Sequence, residues 1–89
     1  MQNDLMALKN LGTTSVNWLL AIGIHDRAAL ERVGPVAAYN RIRERGIRVS
    51  KVLLYALHGA LIDVHWTEIE ESVKQFLLTE AERSFTGGG

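Results

Sequence analysis

The sequence predicts an all-α domain of about five short helices, arranged as tandem helix-hairpin-helix-like turns around one central apolar helix. Three observations predict it. Apolar residues recur at spacings of three and four, and no run alternates apolar and polar residues long enough for a strand. The internal glycines and the single proline, Pro35, fall where one helix hands over to the next. An apolar residue, a glycine, a helix, then glycine and isoleucine occur twice, as Leu11-Gly12 to Gly23-Ile24 and as Val33-Gly34 to Gly46-Ile47.

The first helix is expected from about Thr14 to Ala21, with Val16, Leu19 and Leu20 on one side, Trp18 extending that face and Gly23 ending it. Asp26 opens the second, since its carboxylate can accept the orphan amide hydrogens of a first turn. This helix buries Ala29, Leu30 and Val33 before Gly34 stops it. Pro35 suits the first turn of a third helix, where its missing N–H costs nothing; Val36, Ala37, Tyr39 and Ile42 follow, and Gly46 ends it.

Ser50 caps the fourth helix, Lys51 to about Asp63, which is apolar around nearly its whole circumference and must therefore be surrounded by other helices. Gly59 within it suggests that another helix approaches closely there. Thr67 and Glu70 read as a capping box opening a fifth helix with Ile69, Val73, Phe76 and Leu77 as its stripe.

At 89 residues the chain is one domain, because two cores of half that size could not offset chain entropy. Its bounds are read as 1–86, with Gly87, Gly88 and Gly89 as a flexible tail. The longest apolar stretch, Val52 to Ile62, is too short for a bilayer of ~30 Å, and the start lacks a signal-like run. With no cysteine there is no disulfide or thiolate chemistry, and a cytoplasmic location is the expectation. The net charge is zero but uneven. Basic residues dominate Arg27 to Lys51, and acidic ones dominate from Asp63 onward.

The repeated pattern is that of the helix-hairpin-helix motif. In it a glycine turn exposes backbone amides at a helix start, and those amides with the helix dipole can hold a phosphate without touching a base. Gly12, Thr13, Thr14 and Gly34 are the candidate residues. The usual second glycine, two residues after the first, is replaced here by Thr14 and Val36. The alternative is that these glycines are caps between packed helices.

Asn10, Leu11, Gly12, Ser15, Trp18, Leu19, Gly23, Ile24, Leu30, Gly34, Ala38 and Tyr39, followed by Leu54-Tyr55-Ala56-Leu57, Gly59-Ala60 and His65-Trp66, carry a resemblance over about Leu8 to Leu78. Together they resemble the C-terminal domain of the TfoX/Sxy family of competence regulators, in a stand-alone form. The resemblance implies a helical domain of helix-hairpin-helix character in proteins that promote DNA-uptake genes alongside the cyclic-AMP receptor protein. Full-length members also carry an N-terminal α/β domain that is absent from this sequence, so the full regulator's activity does not come with the resemblance.

Arg41, Arg43, Arg45, Arg48 and Lys51 form the densest basic segment, suited to a solvated face or to contact with phosphate or an acidic partner. His25, His58 and His65 have no metal-site spacing, and no metal or other cofactor is expected. His65 and Trp66 read as a turn in which the tryptophan closes the core and the imidazole caps helix-end carbonyls. Glu68, Glu70 and Glu71 lack a partner base, and no triad, P-loop or dinucleotide fingerprint is present, so an enzyme is not expected.

Two functions follow. One is a regulatory module touching DNA backbone without sequence preference, through Gly12, Gly34 and the basic segment. The other is a protein-interaction domain that docks a transcription regulator or a second copy of itself, using charge and an exposed apolar residue such as Trp18 or Phe85.

Overall fold

Residues 4–85 are described by a computed structural model of the chain, and among them five α-helices are joined by short turns with no strand. The helices are α1 (Thr13–Ala21), α2 (Arg27–Val33), α3 (Pro35–Glu44), α4 (Lys51–Ile62) and α5 (Glu71–Ser84). Single 3-10 turns lie at Asp4–Ala7 and Trp66–Glu68. The tail read from Gly87 to Gly89 lies outside the described residues.

Local chemistry sets the first four helices. After α1, Ile24 N–H donates to Leu19 O (2.9 Å) and Gly23 N–H to Leu20 O (3.1 Å), and Leu19 and Ile24 are both buried. Two crossed bonds with an apolar contact beneath them make a Schellman ending. Asp26 Oδ1 accepts from the Ala29 amide at 2.8 Å and caps α2. Gly34 (φ 86, ψ 158) then both ends α2 and starts α3, in a backbone region open essentially only to glycine. Its N–H donates to Leu30 O (2.7 Å) and its carbonyl accepts from Ala38 N–H (3.1 Å), while Pro35 takes the first position of α3. Ser50 Oγ accepts from the Val52 amide (3.3 Å) at the start of α4.

Helix α4 occupies the centre, with Leu53 through Leu57, Gly59 and Ala60 buried and α3, α5 and the second 3-10 turn packed on it. Its apolar circumference is thus satisfied except at its last turn, where Ile62 is 50% exposed. Leu54 and Leu57 are fully enclosed, so truncating either to alanine costs about 2–5 kcal/mol. Helix α3 is tied to α5 by polar contacts as well. Asn40, a buried polar residue, donates from Nδ2 to Ala81 O at 2.9 Å.

Four expectations are corrected. Leu20 is 37% exposed and Phe76 61% exposed; the faces that meet the core carry Val16 and Leu19 on α1, and Leu77 and Ala81 on α5. Thr67 and Glu70 do not form a capping box, because α5 starts only at Glu71. Thr67 belongs to the 3-10 turn, where its amide donates to His65 Nδ1 (3.3 Å) and its hydroxyl lies 2.7 Å from the same nitrogen. The imidazole therefore caps an N–H at a turn start and not helix-end carbonyls. Gly59 is approached by no helix: a Cβ there would collide with the Val64 carbonyl oxygen and with Asn10 Nδ2 at 2.6 Å.

Candidate functional site

Asn10 has φ 72, a left-handed conformation that asparagine tolerates better than other non-glycine residues. From there its side chain reaches across the molecule. Nδ2 donates to Val64 O at 3.0 Å and Ala56 O at 3.4 Å, and Oδ1 accepts from the Trp66 amide at 3.2 Å. This clamp joins the start of α1 to the end of α4 and fixes where Trp66 lies. The indole of Trp66 stacks with Tyr55 at 6.4 Å between centroids, and the Lys74 ammonium sits 5.5 Å from both rings.

Beside the clamp lies a cavity of about 260 Å3. It is lined by Asn10, Ser15 and Trp18 from the start of the chain, by Arg48, Val49, Ser50, Val52, Leu53 and Ala56 from the entry to and body of α4, and by Trp66. Asn10 and Ser15 bracket Gly12, Thr13 and Thr14 in sequence, so the start of α1 lies beside the cavity that Arg48, Val49 and Ser50 also line. No side chain caps α1, and Gly12, Thr13 and Thr14 are exposed, which leaves the first amides of that helix open to solvent.

The second glycine turn is built differently. Gly34, Val36 and Ala37 are half-buried, Pro35 has no N–H, and Gly34 lines no part of the cavity. The starts of α1 and α3 also differ in backbone, since Gly12 is extended (φ −103) whereas Gly34 has positive φ. What repeats is the exit: Gly23 and Gly46 take nearly the same φ, 87 and 85.

The basic segment divides in two. Arg43 is an internal fastener. Its guanidinium lies 3.9 Å from the Phe85 ring centroid and 4.5 Å from that of Tyr39. It also donates to Asn40 Oδ1 (2.6 Å) and Glu82 Oε2 (3.2 Å), with only 18% of its side chain exposed. Phe85 is correspondingly half-buried and does not stand free as an apolar docking residue.

Arg41, Arg45, Arg48 and Lys51 are exposed and make no ion pair with any described residue. The ion pairs between described residues engage Lys9, Arg27, Arg43 and Arg83. Four unpaired cations are therefore strung along the end of α3 and the connection into α4. Arg41 and Arg45 are one helical turn apart, and Arg48 reaches the cavity wall.

Asn10, Ser15 and Trp66 are the site residues that the sequence did not single out as binding groups. For Asn10 the available signal was its residue type, since asparagine is enriched at positive φ. Among the described residues no group of three histidine, aspartate or glutamate side chains is placed to hold a metal ion. No helix among them is long and apolar enough to cross a membrane.

Two solved structures from Listeria monocytogenes are similar to this chain. One, described as an uncharacterized protein in a triclinic form, is 32% identical with a TM-score of 0.81, over 89% of this chain and 90% of that chain. The other, described as a protein of unknown function in a tetragonal form, is 31% identical with a TM-score of 0.80, over 91% of this chain and 99% of that chain. No curated protein matches the chain. The TfoX C-terminal domain family matches residues 1–81. That span takes in the Asn10 clamp, the central helix and the Trp66 turn, and the chain belongs to the TfoX C-terminal domain family.

Proposed function

We propose that this domain is a non-enzymatic regulatory module that binds nucleic-acid backbone without reading base sequence. The observation that carries this reading is the concentration of unpaired cations at Arg41, Arg45, Arg48 and Lys51 in a chain whose formal net charge is zero. Cations left without carboxylates inside the fold are free to neutralise phosphates and release counterions. The uncapped start of α1 supports the same reading, since its amides and dipole favour an anion.

Gly12, Thr13 and Thr14 supply that helix start, and Arg48 lines the cavity beside it together with Asn10 and Ser15. Gly34, half-buried and followed by a proline, takes no part in this version of the interface. The family's connection with competence regulation fits a domain that works on a nucleoprotein.

A titration with duplexes of unrelated sequence tests the reading. The expected result is equal affinity among sequences, weakening steeply with salt. Absence of salt-sensitive binding at low ionic strength overturns it. One observation favours a second reading, docking of a protein partner or a second copy: Phe76 is 61% exposed on α5.

A further inference from the structure

Trp18 packs in part against the core and also lines the cavity. Trp66 is occupied by Tyr55, His65 and Lys74, whereas no ring or cation among the described residues stacks on Trp18. Trp18 is half-buried and lines the cavity together with Arg48, which has no acidic partner among the described residues. Ser15 and Ser50 line the same cavity, the Ser50 hydroxyl also accepting from the Val52 amide. An indole without a stacking partner and a guanidinium without an acidic one, both lining one cavity, are ingredients with which proteins hold single-stranded nucleic acid.

Size narrows the occupant. At about 260 Å3 the cavity falls just below the ~300–1,000 Å3 of sites for drug-sized ligands, so it has room for one planar ring with sugar and phosphate outside. A base inside a duplex is stacked and paired and cannot enter such a cavity; an unpaired base can. We propose that the cavity lined by Trp18 and Arg48 receives one unpaired nucleobase, so that this domain prefers single-stranded to double-stranded nucleic acid.

The proposal rests on the backbone-binding reading, extends it to the substrate's form, and can fail separately from it. The test is fluorescence anisotropy with three labelled probes of equal length: a single strand, its duplex, and a single strand carrying abasic sites. The expected result is that the plain single strand binds about tenfold more tightly than the abasic strand, as loss of one stacked base implies, and more tightly than the duplex. Trp18→Leu abolishes that preference, Trp18→Phe keeps most of it, and Arg48→Gln weakens all three probes.

Equal affinity for the plain and abasic strands overturns the base cavity while leaving backbone binding intact. No salt-sensitive binding of any probe overturns both. Should Trp18→Leu fail to fold, Trp18→Phe and the abasic strand still decide the matter. Quenching of the tryptophan fluorescence by an acidic peptide carrying one phenylalanine, but by none of the three strands, overturns the proposal in favour of a protein ligand.

Discussion

Asn10 and Gly59 are in direct apposition: a Cβ at Gly59 would stand 2.6 Å from Asn10 Nδ2 and closer still to the Val64 carbonyl oxygen. Glycine at 59 is therefore the condition for Asn10 to reach Val64 and Trp66. Gly59→Ala sets two effects against each other. Alanine favours the helix by ~1 kcal/mol, but overpacking against a backbone carbonyl costs about 1–3 kcal/mol. The expected outcome in urea denaturation is net destabilisation; an alanine variant more stable than wild type contradicts the clamp.

Removing the other partner has a more specific signature. Asn10→Ala leaves the Trp66 N–H and the Val64 carbonyl without side-chain partners and is expected to cost about 2–3 kcal/mol. Asn10→Asp keeps an acceptor for Trp66 N–H but turns an oxygen toward the Val64 and Ala56 carbonyls. Aspartate is thus expected to be the worse substitution at neutral pH and to recover partly on acidification, as protonation restores a donor. Chemical denaturation at two pH values reads this directly.

Arg43 and its neighbours should separate in stability measurements. Arg43→Lys loses the planar group that lies against Phe85 and Tyr39 while bonding Asn40, and is expected to destabilise by about 1–2 kcal/mol. The ion pair to Glu82 adds little to this, since that carboxylate is 62% exposed. Arg41→Ala and Arg45→Ala are expected to stay within about 0.5 kcal/mol of wild type. Thermal melts of the three variants check the ordering.

His58 introduces a pH dependence. Burial lowers its pKa below the usual 6.5, so the folded state holds that proton less well than the unfolded chain. By linkage, stability is undiminished above the unfolded value and is lost as pH falls from about 6.5 through the depressed folded value. Stability is expected to fall more steeply over that window in the wild type than in His58→Gln, and matching slopes contradict the assignment.

Much of the fold was legible because its signals are local. Asp26, Gly34, Pro35 and Ser50 each act within a few residues of themselves, and the helices they bound stand close to where the sequence placed them. The start of α5 was not legible, because Thr67 is engaged by His65 two residues before it while Ile69 and Glu70 stay extended. The site was less legible still. Arg43 looks like its neighbours until α5 brings Glu82, 39 residues away, beside it. Likewise Asn10 meets Trp66 across 56 residues, a pairing that neither residue advertises in sequence.

The unpaired cations are the central claim, and the salt dependence of binding reaches them most directly. The logarithm of affinity for a duplex of unrelated sequence should fall linearly with the logarithm of salt concentration, by ~0.9 for each phosphate neutralised. In a variant with Arg41, Arg45 and Arg48 changed to alanine the slope should flatten by about 1 for each cation that contacted a phosphate. Folding should be intact, as a melt confirms. A triple variant that keeps the wild-type slope, or a wild-type protein whose binding ignores salt, contradicts it.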